Sequence, residues 1–187
     1  MRIIAGKFRG RKLLSPKGND IRPTTDKVRE AVFDILYQFK DTGYIAFDVF
    51  SGSGSMGLEA ISRGATKVYF SDSSRESLAL TKENVSLCGA GEFSVLLLGD
   101  YLRNIARVKD KVDVFFLDPP YANGYILPAL EAIDKAGNAA DDGIEVCEHS
   151  YRDELPEKIS GFTRVKSRKY GSIALSFYQR GDREAGE

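Results

Sequence analysis

The chain has 187 residues, 42% of them apolar and 29% charged, with 27 basic side chains balanced by 27 acidic ones. This is enough for one domain with a substantial core, and the ordinary apolar and aromatic content excludes a disordered tail, a collagen or a coiled coil. No stretch approaches the roughly 18 apolar residues of a membrane span, and Cys88 and Cys147 alone make neither a disulfide framework nor a zinc site.

The opening residues MRIIAGKFRGRKLL contain no apolar run of signal-peptide length. A cytoplasmic protein with two reduced, packed thiols is expected, with no metal, no membrane and no obligate protein partner. Residues 1–30 hold nine basic side chains (Arg2, Lys7, Arg9, Arg11, Lys12, Lys17, Arg22, Lys27, Arg29) against three acids, an excess of +6 that residues 31–187 offset. Zero net charge therefore allows a nucleic-acid partner if the positive charge lies on one face. A solvated basic extension explains the same charge without a partner.

Within residues 2–14, a loose alternation broken by Gly6 and Gly10 predicts two short strands around a turn. Residues 19–25 form a polar connection containing Pro23. A helix is expected from Asp26, because Val28, Ala31, Val32, Ile35, Leu36 and Phe39 recur at three- and four-residue steps. Thr25 or Asp26 can cap it, and Gly43 follows it. Strands are then expected at 44–50, 67–72, 93–100, 111–118 and 143–149, alternating with helices after Gly54 and at 76–87, 102–108 and 125–136. Residues 163–179 read as two strands with Gly171 at the turn. Such alternation means crossover units and a parallel sheet, with one antiparallel pair at its edge. The runs FDVF, VLLL and VFF suit strands buried on both faces. The chain divides into a basic N-terminal β-hairpin extension (1–25), one α/β domain (26–180) and a frayed tail (181–187).

Gly52-Ser53-Gly54-Ser55-Met56-Gly57 follows a strand, opens a helix and matches GxGxxG, with Asp72 twenty residues after Gly52 at the next strand end. This spacing fits a nucleoside cofactor: glycines let the backbone approach the ligand, and the later acid accepts hydrogen bonds from ribose hydroxyls. Asp48, just upstream, would oppose a pyrophosphate but favour the ammonium and sulfonium of S-adenosylmethionine. Asp100 ends the third strand on the same edge, where it serves either a ligand or the cap of the next helix.

Asp118-Pro119-Pro120-Tyr121 directly follows the strand VFFL. Two prolines cannot continue a ladder, so they make a stiff loop at the strand end. A planar amino group on a base needs two acceptors in its plane and a surface for its ring. Asp118 and the Pro119 carbonyl can supply the acceptors, and Tyr121 the stacking face. His149, the only histidine, is expected to be an ordinary surface or hydrogen-bonded residue.

With DVFSGSGSMGLEAISRGA, an acidic strand end, GD and DPPY, the sequence resembles class I S-adenosylmethionine-dependent methyltransferases acting on exocyclic amino groups. RIIAGKFRGRKLLSP with IRPTTDKVREAVFDIL narrows the resemblance to the bacterial RsmD family, which modifies the 2-amino group of a guanine in small-subunit (16S) ribosomal RNA. It covers Met1 to about Arg180. The resemblance implies a Rossmann-like α/β fold with a seven-stranded, mostly parallel sheet, an antiparallel edge hairpin and a small N-terminal extension. It assigns Asp48, Ser51, Gly52, Ser53, Gly54 and Gly57 to the cofactor's methionine part and ribose. Asp72 goes to the ribose hydroxyls, Asp100 to the adenine amino group, and Ser73 and Tyr101 lie beside them in the cofactor set. Arg22, Pro23, Thr24 and Thr25 resemble the segment that closes over the methionine end. Asp118, Pro119, Pro120 and Tyr121 carry catalysis. Lys7, Arg9, Arg11 and Lys12, on the extension, are the expected RNA contacts.

Other readings predict different behaviour. An amino-methyltransferase acting on adenine in DNA or another RNA shares the chemistry, but 187 residues leave no room for the usual DNA target-recognition domain. A nicotinamide-dependent oxidoreductase is disfavoured by Asp48, and leaves DPPY unexplained. A non-catalytic RNA-binding module explains the basic N-terminus alone.

Overall fold

The apolar runs after Gly43 become strands because helices cover both faces of the sheet they build. The computed structural model describes residues 1–16, 26–120 and 124–181. Strands β1 (Ile45–Asp48), β2 (Lys67–Asp72), β3 (Ser94–Leu98), β4 (Val112–Leu117) and β5 (Ala139–Ser150) pair in parallel in the order β3-β2-β1-β4-β5. The sheet continues antiparallel through β8 (Ile173–Arg180), β7 (Phe162–Tyr170) and β6 (Lys158–Ile159). Helices α1 (Asp26–Leu36), α2 (Ser55–Ser62) and α3 (Arg75–Cys88) pack on one face, around Val32, Leu58, Ile61 and Val85. Helices α4 (Tyr101–Arg107) and α5 (Ile126–Ala136) cover the other, around Ile105, Leu130 and Ile133. Because β1, β2, β4 and β5 run the same way, Asp48, Asp72, the loop after Leu117 and Ser150 all come out on one edge of the sheet.

Three details differ from the sequence reading. The sheet has eight strands rather than seven, because the two-residue β6 pairs with β7 where the chain reverses at Ser160 and Gly161. A strand this short leaves no periodicity in the sequence. The run VLLL in β3 is only half-buried, since β3 is the edge strand. Finally, residues 2–14 close on themselves as a hairpin but without two regular strands. Ile3 N–H donates to the Arg11 carbonyl, Gly10 N–H to the Ile3 carbonyl and Leu13 N–H to the Met1 carbonyl, with one antiparallel bridge, Arg2 to Lys12, around a 3-10 turn at Gly6–Phe8.

The turn side of the hairpin bonds to α2 instead of across the loop. The N–H groups of Ile4 and Ala5 donate to the two carboxylate oxygens of Glu59, at 2.8 and 3.0 Å, and Phe8 N–H donates to Ser62 Oγ at 2.9 Å. Glu59 is fully buried and faces the equally buried Arg29 of α1, whose Nε lies 3.7 Å away. Arg29 also donates to the Arg2 carbonyl and, at 2.9 Å, to Asp26. Ile3 and Leu13 join the core beneath. The N-terminal loop is thereby fastened lengthwise over α2 and α3.

Candidate active site

The half of the candidate site around the glycine turn is assembled by backbone N–H groups on strand-end acids. Asp48, 2% exposed, accepts from Gly57 N at 3.1 Å, which ties β1 to the first turn of α2. Gly57 has no room for a side chain: a Cβ there would stand 2.3 Å from Phe70 Cε1. Gly52 and Gly54 have φ of +52° and +77°, a left-handed turn that lets the chain leave β1 and enter α2. Ser51 N donates to the Ser71 carbonyl at 2.8 Å, and the Ser53 carbonyl accepts from Asn84 at 2.9 Å, so the turn is anchored to β2 and α3. Asp72 accepts from Gly52 N at 3.0 Å on one oxygen and from Ser74 N at 2.8 Å on the other. Each oxygen keeps a lone pair for a hydroxyl. Ser73 is exposed beside it. Asp100 is exposed and caps α4, accepting from Arg103 N at 3.2 Å. Capping occupies one oxygen and leaves the other available.

Burial pushes the Asp48 carboxyl up to about 7, the Gly57 hydrogen bond opposes this, and the nearby charges of Asp118 and Asp72 add to it. Three carboxylates thus converge on the edge where β1, β2 and β4 end. Concentrated negative charge of this kind fits a cationic ligand and would repel a pyrophosphate.

Asp118 is half-buried, Pro119 buried and Pro120 exposed at the end of β4. Beyond the prolines opens a cavity of about 320 Å³, lined by Pro119, Pro120, Tyr125, Ile126, His149 and Leu155 among others. His149 is 6% exposed, with Nε2 2.9 Å from Ser176 Oγ and Nδ1 2.9 Å from the Ser150 carbonyl oxygen. Burial lowers its pKa, so it is a neutral wall of the cavity. Tyr121, Arg22, Pro23, Thr24 and Thr25 lie outside the described residues.

Sequence reasoning missed an aromatic cluster between the two halves. Phe50 and Tyr101 have ring centroids 5.1 Å apart, Phe50 and Tyr125 5.8 Å, and Tyr101 meets Tyr125 edge-on at 5.6 Å. The three rings run from the residue after Asp100 to the wall of the proline cavity. The available signal was an aromatic residue shortly after each strand end, but the three are scattered over 76 positions of sequence.

This geometry can be set beside known proteins. The family model described as conserved hypothetical protein 95 matches residues 1–179. The chain belongs to this family, the RsmD family. Ribosomal RNA small subunit methyltransferase D of Haemophilus influenzae is 37% identical over 183 residues, 96% of this chain and 93% of that protein. Its namesake in Escherichia coli K12 is 30% identical over 180 residues, 96% and 90% of the two. The solved structure of yhhF from Escherichia coli superposes with a TM-score of 0.85 at 30% identity, over 96% of this chain and 97% of that one.

In this member of the RsmD family, two of the four N-terminal cations expected to meet RNA, Lys7 and Arg11, have partners within the fold. Arg11 donates to the Leu87 carbonyl at 2.6 Å, at the C-terminal end of α3, where it satisfies an otherwise unpaired acceptor. Lys7 Nζ stands 3.7 Å from the Phe93 ring centroid, just before β3 starts. The loop's tip therefore reaches the edge opposite Asp48 and Asp118. Arg9 and Lys12 are exposed.

Proposed function

We propose that the protein transfers a methyl group from S-adenosylmethionine to the 2-amino group of a guanine in small-subunit ribosomal RNA. The observation that carries this reading is the Asp118-Pro119-Pro120 loop lying beside Asp48 and the glycine turn, so that one edge offers both a cation-friendly cofactor cleft and a rigid amino-group acceptor. The names of the relatives support ribosomal RNA as the substrate class.

The carboxylates of Asp48 and Asp72 and the open space above Gly52 suit the cofactor's charge and its close approach to the backbone. When bound, S-adenosylmethionine supplies an already activated methyl group. What remains for the protein is mainly orientation. An aromatic exocyclic amine is a poor nucleophile because its lone pair is delocalised into the ring. Asp118 and the Pro119 carbonyl accept its two N–H bonds and favour a lone pair directed at the methyl. Positive charge grows on the nitrogen as the bond forms, and the Asp118 carboxylate stabilises it more in the transition state than in the ground state. The rings of Phe50, Tyr101 and Tyr125 keep water from the cleft between cofactor and base. The stiff Pro119-Pro120 loop prevents the acceptors from drifting.

Asp118→Ala tests this directly. Methyl transfer should fall on the order of 10²-fold or more, while S-adenosylmethionine affinity, measured by calorimetry, stays near wild type. Asp118→Asn should retain part of the activity, because its amide oxygen still accepts one hydrogen bond. Wild-type turnover by the Ala variant would remove Asp118 from the role given to it.

A further inference from the structure

Lys7 and Arg11 are engaged at the opposite edge, and the edge that carries Asp48 and Asp118 has another basic surface. β8 runs antiparallel to β5, and β7 antiparallel to β8, so β7 ends on the same edge as β1, β4 and β5. Ser150 pairs with Ile173, and Ile173 with Tyr170. His149 pairs with Ala174, and Ala174 with Lys169, so Lys169 shares a sheet face with His149, the wall of the proline cavity. Two strand spacings separate them, roughly 10 Å. Tyr151 follows directly on β5, its N–H bonded to the Ser172 carbonyl at 3.0 Å, and Lys169 Nζ lies 3.6 Å from its ring centroid.

This ring is 44% exposed. Arg152, next to it in the chain, and Arg168 and Lys169, on opposite faces of β7, are exposed as well, and among the described residues none of the three is in an ion pair. In the same strand Arg164 donates to the Leu155 carbonyl at 2.9 Å, Lys166 to Gln38 at 2.7 Å and Arg168 to the Ser167 carbonyl beside it at 2.8 Å. An exposed aromatic ring beside exposed cations that lack an acidic partner is the surface that single-stranded nucleic acid uses, the ring stacking a base and the cations neutralising phosphates. Asp153 and Glu154, which follow Arg152, line the cavity, and their charge there repels phosphates while tolerating the donor groups of a base.

We propose that Arg152, Arg168 and Lys169, with the ring of Tyr151, form the strip that grips the ribonucleotides flanking the target base. This rests on the RNA-methyltransferase reading above. It assigns substrate grip to the end of β7 and the loop after β5.

The test compares two sets of substitutions in the full chain. One variant carries Arg152→Ala, Arg168→Ala and Lys169→Ala; the other carries Lys7→Ala, Arg9→Ala and Lys12→Ala. Affinity is measured over a salt series for small-subunit ribosomal RNA, offered as a transcript and as undermethylated bacterial particles. Each lost phosphate contact should lower the slope of log affinity against log salt by about 0.7, so the strip variant should show a slope flatter by about 2 and an affinity at least tenfold weaker at low salt. Tyr151→Ala should weaken binding about tenfold with little change of slope. S-adenosylmethionine affinity should be unchanged in all of them, which also reports that they fold. The N-terminal variant should stay near wild type. Wild-type affinity and slope for the strip variant, with the N-terminal variant impaired, would overturn the proposal while leaving the methyltransferase reading intact. A wild-type protein that neither binds nor methylates either RNA would instead remove the reading on which the strip depends.

Discussion

Asp48 shows how one buried residue can tie cofactor binding to pH. Its carboxyl is raised to about 7 by burial, with Asp118 and Asp72 adding to the shift. A cationic cofactor nearby favours the ionised form and draws that value down. Binding then releases a proton wherever the free carboxyl is protonated. Affinity for S-adenosylmethionine should therefore rise with pH from about 6 toward 8 and level off above the free value, with a limiting slope of about tenfold per unit on the acid side. Calorimetry in buffers of different ionisation enthalpy measures both the affinity and the proton released. In Asp48→Asn the release should vanish and the affinity should drop. A flat profile in the wild type would mean that Asp48 does not face the cofactor's charge. That Asp48, Asp72 and Asp118 share one edge was legible in the sequence, because strand ends in such sheets meet there. The Phe50, Tyr101 and Tyr125 cluster was not, because nothing in spacing alone says that three loops bring their rings together.

At the scale of elements, the glycine turn does two separate jobs. Gly52 and Gly54 provide a backbone conformation, whereas Gly57 provides space, its missing Cβ allowing α2 to lie against Val68 and Phe70 of β2. Gly57→Ala should cost about 1–3 kcal/mol, the usual penalty of overpacking, or about 2–4 °C in Tm for each kcal/mol at this chain length. Gly91→Ala, where a Cβ meets nothing within 4 Å, is the matching control and should leave the melting curve in place. Equal melting temperatures for the two variants would show that α2 can shift without loss. The strands and helices from β1 to α5 could be read from periodicity because each is long enough to display it. The N-terminal loop could be read only in part: its arms bond to each other as a hairpin, but the N–H groups of Ile4, Ala5 and Phe8 go to Glu59 and Ser62, more than fifty residues away. The same long-range tie explains why Arg29, a charge on a helix that reads as amphipathic, is fully buried.

At the scale of the whole molecule, a net charge of zero conceals a division between edges. The basic excess of the first thirty residues is visible in the sequence, but only the fold shows that Lys7 and Arg11 end up away from the catalytic edge, while Lys169 and Arg168 end up on it. The carboxylates of the cofactor cleft and the cations of β7 then lie side by side on one edge, the arrangement a cationic cofactor and a polyanionic substrate together require. The most direct test is to incubate the purified protein with S-adenosylmethionine carrying a labelled methyl group and undermethylated small-subunit particles, digest the RNA, and identify the labelled nucleoside by mass spectrometry. The label should appear as 2-methylguanosine and disappear in Asp118→Ala. Label in an adenosine, a cytidine or a ring-methylated guanosine, or none in the RNA at all, would contradict the assignment of this edge to the methylation of a guanine amino group.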